Sequence, residues 1–195
     1  MKNLKYVIIG LACICLICVG FYFFSQDNKT ADKDLTEVEK VIVKDLEENY
    51  PKTPREVVKF YNRIVSCYHG EEITDAQLED LVDQMLLLLD DDLLLVNPRD
   101  EYLNSVINEM QIFRSQKKTI VSTDVCDSND VKYIDDVKEG TSTVDKLAYV
   151  GATYFVKTDA DFAYSYQQFV LRQDDDGRWK ILTFYEVEGD PAEND

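Results

Sequence analysis

Histidine is nearly absent from this 195-residue chain, with His69 as the only one. A zinc site of the usual cysteine and histidine kind is therefore close to excluded. Cysteine is little better represented. Of five, Cys13, Cys15 and Cys18 lie in an apolar run near the N-terminus, leaving Cys67 and Cys126 beyond it. Two such thiols could form one disulfide in an oxidising compartment if their Cα atoms came within about 7 Å, but they cannot make a disulfide framework. Positive charge is scarce too: beyond residue 25 the chain holds all 38 acidic residues and only 19 of the 21 basic ones, a net charge of −19. Such a surface repels nucleic acid and anionic lipid, so neither is expected as a partner. No P-loop, dinucleotide-binding glycine fingerprint, nucleophile elbow or HExxH motif occurs. No cofactor, metal or catalytic residue is expected from motifs.

What the sequence does have begins with Tyr6 to Phe24, YVIIGLACICLICVGFYFF, a run without a charge. At about 1.5 Å per residue in a helix it matches the ~30 Å hydrocarbon layer of a bilayer. Lys2 and Lys5 precede it, and SQDNKTADKD after it has no basic excess. The positive-inside rule then places the N-terminus in the cytoplasm and the rest outside, in the cell membrane as a single-pass anchor. A cleaved signal peptide is the alternative, but its apolar core would be about 7 to 15 residues long and end at small residues, whereas this run ends in FYFF. A lipoprotein site at Cys13 fits less well, because Gly10 stands where leucine is usual. The expected organisation is a cytoplasmic tip and anchor over 1–25, a partly helical membrane-proximal linker over 26–51, one external domain over 52–188 and an acidic tail over 189–195.

Helical periodicity fills the first half of the external part. Leu35, Val38, Ile42 and Leu46 are spaced for a short helix, although the β-branched run Val41-Ile42-Val43 argues against it. Thr53-Pro54-Arg55-Glu56 is a capping box with proline at the first helical position. From it Val57, Tyr61, Ile64 and Tyr68 form one stripe, up to a stop at His69-Gly70. Thr74 to Gln77 is a second box, opening a helix with Leu78, Leu81, Val82, Met85 and Leu89 inward. Asn97-Pro98 opens a third, with Tyr102, Leu103, Val106, Met110 and Phe113 inward and a basic end at Arg114 to Lys118. In LLLLDDDLLLVNP between them, Leu87 has no place on the inward stripe, so part of that run is expected to face a sheet, a partner or a ligand. Asp90, Asp91 and Asp92 lack the carbonyl-rich loop and bidentate glutamate of a calcium site, and read as a charged break in a leucine run.

After Thr119 the period changes from 3.6 to 2. TIVSTDVCD, TVDKLAYVGATYFVKTD, FAYSYQQFVLRQ and RWKILTFYEVE predict four strands, mostly antiparallel. Helices first and strands afterwards indicate an α+β domain, with about three helices on a curved sheet. The DDDG of RQDDDGRWK fails as an EF-hand, since the first ligand would fall on Arg172 and the closing glutamate on Thr183. Asp-Gly between alternating runs signals a hairpin instead, with Trp179, Ile181, Thr183, Tyr185 and Val187 expected on one face.

The order of elements, the aromatic helix REVVKFYNRI and the closing hairpin FVLRQDDDGRWKILTFYEV resemble the nuclear transport factor 2-like (NTF2-like) superfamily. YPKTPREVVKFYNRI also looks like the start of a family of one-pass envelope proteins of anaerobic Gram-positive bacteria. The resemblance spans about Lys52 to Val187. It implies a cone of helices on a bent antiparallel sheet, with a pocket that different members use for catalysis, ligand binding or protein contact. For this chain the pocket candidates are Tyr61, Tyr68, His69, Tyr154, Tyr164, Tyr166 and Tyr185. Aromatics such as Tyr149, Phe155 and Phe169 belong in strands in any case, so core packing competes with a pocket role. His69 at a helix end suits the dipole, and would need a carboxylate neighbour to do more. The expected function is a non-enzymatic, membrane-anchored binding or scaffold domain for a protein partner or small ligand, in an envelope, secretion or conjugation assembly. A homodimer through the sheet face fits the same plan. The alternative is a small pocket enzyme of the isomerase or dehydratase type, which needs an acid or base inside an apolar pocket.

Overall fold

A computed structural model describes residues 35–70, 72–137 and 144–189. The expected membrane anchor, Tyr6 to Phe24, and the acidic tail beyond residue 189 lie outside the described residues. Among the described residues no helix is long and apolar enough to cross a membrane. The chain divides into two units, residues 1–40 and 41–195. In the first, the described part is the start of helix α1 (Glu37–Ile42). Its box is reciprocal: the Thr36 amide donates to Glu39 Oε2 at 2.7 Å and the Glu39 amide to Thr36 Oγ1 at 3.2 Å. The helix stops at Ile42, short of the spacing that runs on to Leu46, because β-branched side chains crowd the helical turn.

The second unit is α+β. Four helices, α2 (Pro54–Gly70), α3 (Asp75–Leu86), α4 (Asp91–Val96) and α5 (Arg99–Ser115), precede five strands, β1 (Thr119–Val125), β2 (Lys132–Val137), β3 (Val144–Lys157), β4 (Phe162–Gln173) and β5 (Trp179–Val187). The sheet is antiparallel and runs β1-β3-β4-β5, with β2 also paired to β3. The four strands read from period 2 are all present, and β2 is added to them. Long β3 is flanked by two short strands end to end, β1 along Ala152 to Lys157 and β2 along Val144 to Tyr149. KYIDDV alternates weakly because its residues from Lys132 to Asp136 are exposed on both faces.

Both capping boxes form. The Glu56 amide donates to Thr53 Oγ1 at 3.2 Å, and Thr74 and Gln77 exchange the reciprocal pair. α2 buries Val57, Val58, Tyr61, Ile64, Val65 and Tyr68 and packs across β1, β3 and β5. At the start of α5, Pro98 takes the cap position without a side-chain hydrogen bond.

The leucine run after α3 faces the edge of β5. The Asp90 amide donates to the Ile181 carbonyl at 2.9 Å and the Ile181 amide to the Leu88 carbonyl at 2.8 Å, a short parallel bridge centred on Leu89 and Ile181. Leu88 and Leu89 are thereby buried, each burial stabilising by about 1.5–3 kcal/mol, while Leu87 stays exposed. Leu89 is thus buried by the sheet edge, beyond the end of α3. Asp90 then caps α4, accepting the Asp92 amide at 2.9 Å. Its carboxylate is also gripped by Arg172, whose Nε and Nη2 donate at 3.0 and 2.5 Å, and Nη2 reaches Asp92 Oδ2 at 2.7 Å. Asp90 and Asp92 are therefore a capped helix start with an arginine counterion.

In the closing hairpin Asp174 is the working member of the aspartate triplet. Its Oδ1 accepts the amides of Asp176 at 3.1 Å and Arg178 at 2.7 Å, and Gly177 takes the left-handed conformation at φ 79° that closes the turn. The expected single face of β5 is corrected here. Val170 pairs with Thr183 but Leu171 pairs with Ile181, so Leu182 is an unpaired bulge residue. Trp179 and Ile181 are buried toward the core, whereas Thr183 and Tyr185 point to the opposite, exposed face. Cys67 and Cys126 are not joined in a disulfide. Cys67 belongs to the buried face of α2, while Cys126 continues β1 by donating its amide to the Gly151 carbonyl at 3.0 Å.

Candidate functional site

A cavity of about 560 Å³ lies between α2, α5 and the sheet. Its helical walls follow from periodicity: Tyr61, Val65 and Tyr68 are one stripe of α2, and Tyr102, Val106, Glu109 and Phe113 one stripe of α5. The sheet wall follows from register. Tyr154 sits opposite Ser165 and Val156 opposite Ala163, all on the face toward the helices. β5 adds Phe184 and Glu186, turned inward by the bulge at Leu182. Behind this wall Phe169 is fully buried, with its ring 5.4 Å from Tyr61 and 5.3 Å from Phe184.

Phenols dominate the polar character. Tyr154 Oη donates to Oδ1 of buried Asn62 at 2.5 Å, and Tyr102 Oη donates to Met85 Sδ at 3.0 Å. Burial pushes the Tyr61 and Tyr68 hydroxyls well above their ordinary range, with nearby phenols adding to it for both and the Glu109 charge for Tyr68. Burial, then Glu109, raises Tyr154 in the same direction. Glu109 carries the carboxylate on the helical side. It bonds His69 Nε2 at 2.9 Å, with the imidazole 3% exposed and the carboxylate 45% exposed. Phe113 covers the imidazole at a ring distance of 4.1 Å.

Of the residues read from the sequence, Tyr61, Tyr68 and Tyr154 come together as cavity lining. Tyr164 borders the cavity too, although its ring packs on Phe155 and Tyr166 on the other face of β3 and β4. His69 stands behind Glu109, and so has the carboxylate neighbour that α2 alone did not supply. Tyr166 and Tyr185 are corrected. Tyr166 lies across from Thr153 and Tyr185 from Gln168, on the face away from the helices, because residues at even positions of β4 point outward. Sequence reasoning missed Tyr102, Glu109, Ser165, Phe184 and Glu186. The signal for Glu109 was present: a carboxylate on the inward stripe of α5, between Val106 and Phe113. Among the described residues no group of three cysteine, histidine or carboxylate side chains could hold a metal ion.

These features define an α+β domain in which two helices and an antiparallel five-stranded sheet wall an aromatic cavity. A family model described as a domain of unknown function, DUF6715, matches residues 1–184, and the chain belongs to that family. No curated protein matches it.

Proposed function

We propose that the chain is a non-enzymatic, membrane-anchored extracytoplasmic domain of NTF2-like architecture whose cavity binds a small organic ligand. The observation that carries this reading is the cavity itself. Its volume of about 560 Å³ falls in the range of small-molecule sites, and it combines aromatic walls with a few convergent polar groups. The acidic composition beyond residue 25 and the uncharged run Tyr6 to Phe24 support display outside the membrane. Glu109 is half exposed and bonded to His69, so it does not match the desolvated acid or base that isomerase chemistry requires.

The neutral fluorogenic dye prodan tests the ligand site: it should bind saturably, one per chain, and lose binding when Val106→Trp fills the cavity. Equal binding by that variant would count against the reading. For the anchor, protease added to intact cells should remove the domain, and protection would sink the topology. A second copy is the partner proposed for the outer sheet face. Phe162, Tyr164 and Tyr185 are 53%, 62% and 48% exposed there, an aromatic patch with the Lys157 ammonium 5.8 Å from the Phe162 ring centre, on which two copies can meet.

A further inference from the structure

Several donors of the cavity wall are already committed. Tyr154 gives its proton to Asn62 and Tyr102 gives its own to Met85. The hydroxyls follow the same rule: Ser105 donates to the Glu101 carbonyl at 2.9 Å, and Ser165 to Glu186 Oε1 at 3.2 Å. Thr158 donates to the Asp161 carbonyl at 3.1 Å. The lining also carries the phenols of Tyr68 and Tyr164 and the carboxamide of Gln167, and its charged groups include two carboxylates, Glu109 and Glu186. Among the described residues Lys118 is the one cation of the lining, with its ammonium 5.9 Å from the Phe113 ring centre. Two carboxylates against one ammonium leave the charged part of this lining acidic.

We infer that the cavity binds an organic ammonium ion, its apolar body against the tyrosine and phenylalanine rings and its cationic head beside Glu109 and Glu186. Ring faces attract cations through their quadrupole, and quaternary ammonium groups are held in aromatic cages in this way. A low-dielectric cleft in an acidic domain also concentrates cations. The inference rests on the reading of the cavity as a ligand site and adds the charge of what it takes.

Three probes of nearly one shape separate the two ideas: phenyltrimethylammonium, its neutral isostere tert-butylbenzene, and the anion benzenesulfonate, each offered to the full chain in equilibrium dialysis. The cation should bind at least about tenfold tighter than the other two, as cation–π attraction in a partly desolvated site allows. Glu109→Gln should bring the affinity for the cation down toward that for tert-butylbenzene. Glu186→Gln supplies an independent carboxylate loss should the first variant fold poorly. Equal or tighter binding of the neutral or anionic probe would overturn the cation assignment and leave the ligand site standing. Retention of none of the three would remove both.

Discussion

Replacing Arg172 by leucine tests how the second unit ties its helical half to its sheet. The Asp90 side chain is 5% exposed and Arg172 20% exposed, and the guanidinium makes two hydrogen bonds to that one carboxylate. Leucine fills part of the space but leaves Asp90 charged, buried and answered only by the Asp92 amide. Breaking a buried pair from one side costs about 3–5 kcal/mol, and the partial exposure of Arg172 lowers this to about 2–4 kcal/mol. For a domain of this size the melting temperature should fall by roughly 5–15 °C. Trp179, the only tryptophan and 9% exposed, reports unfolding in urea through its emission. Asp90→Asn keeps the cap of α4 and removes the charge, so Arg172→Leu combined with Asp90→Asn should recover at least about half of the loss. A loss below about 1 kcal/mol for Arg172→Leu, or no recovery in the pair, would refute the reasoning.

Alkaline pH is a second test. Tyr61, Tyr68 and Tyr154 are held protonated above the ordinary phenol value of about 10, chiefly by burial. Their folded-state values exceed the unfolded ones, so the stability they contribute is whole below pH about 10 and is lost as pH rises toward the raised values. Phenolate absorbance at 295 nm should therefore leave a fraction of the 12 tyrosines silent until circular dichroism reports unfolding; full titration of a native domain near pH 10 would contradict it. Gly177→Ala should cost about 1 kcal/mol in urea, because φ is 79° while a Cβ there would meet only Gln173 Nε2 at 3.8 Å. No loss would mean the turn is not conformationally selected. Tyr164→Lys should lower the apparent mass in sedimentation equilibrium if the outer face joins two copies, and an unchanged monomer in both proteins would dismiss the dimer.

Much of the architecture was legible because strong local signals agree with each other. Thr53-Pro54 and Thr74 to Gln77 set two helix starts by hydrogen-bond chemistry that needs no tertiary help, and Asp174 to Gly177 did the same for the hairpin. What escaped notice depends on partners far along the chain. β2 has no buried face of its own and is specified by the free flank of β3. The leucine run became interpretable only as the edge partner of Ile181. Half of the cavity was visible, since a helical stripe of tyrosines is a periodic signal. The β5 wall was not, because one unpaired residue reverses the alternation and a strand pattern contains no mark of it. Tyr166 and Tyr185 were misplaced for that kind of reason, being aromatic and alternating but on the wrong side of the pleat.

The bulge at Leu182 also separates two jobs within one strand. Trp179 and Ile181 answer to the core, Phe184 and Glu186 to the cavity, and the unpaired residue between them belongs to neither. Losing Leu182 would straighten β5 yet leave both sets of side chains on their present faces. Losing a residue further along would swing Tyr185 or Val187 into the cavity in place of the present lining. A length change at Leu182 therefore keeps the core set and the cavity set on their own faces, whereas one nearer the strand's end does not.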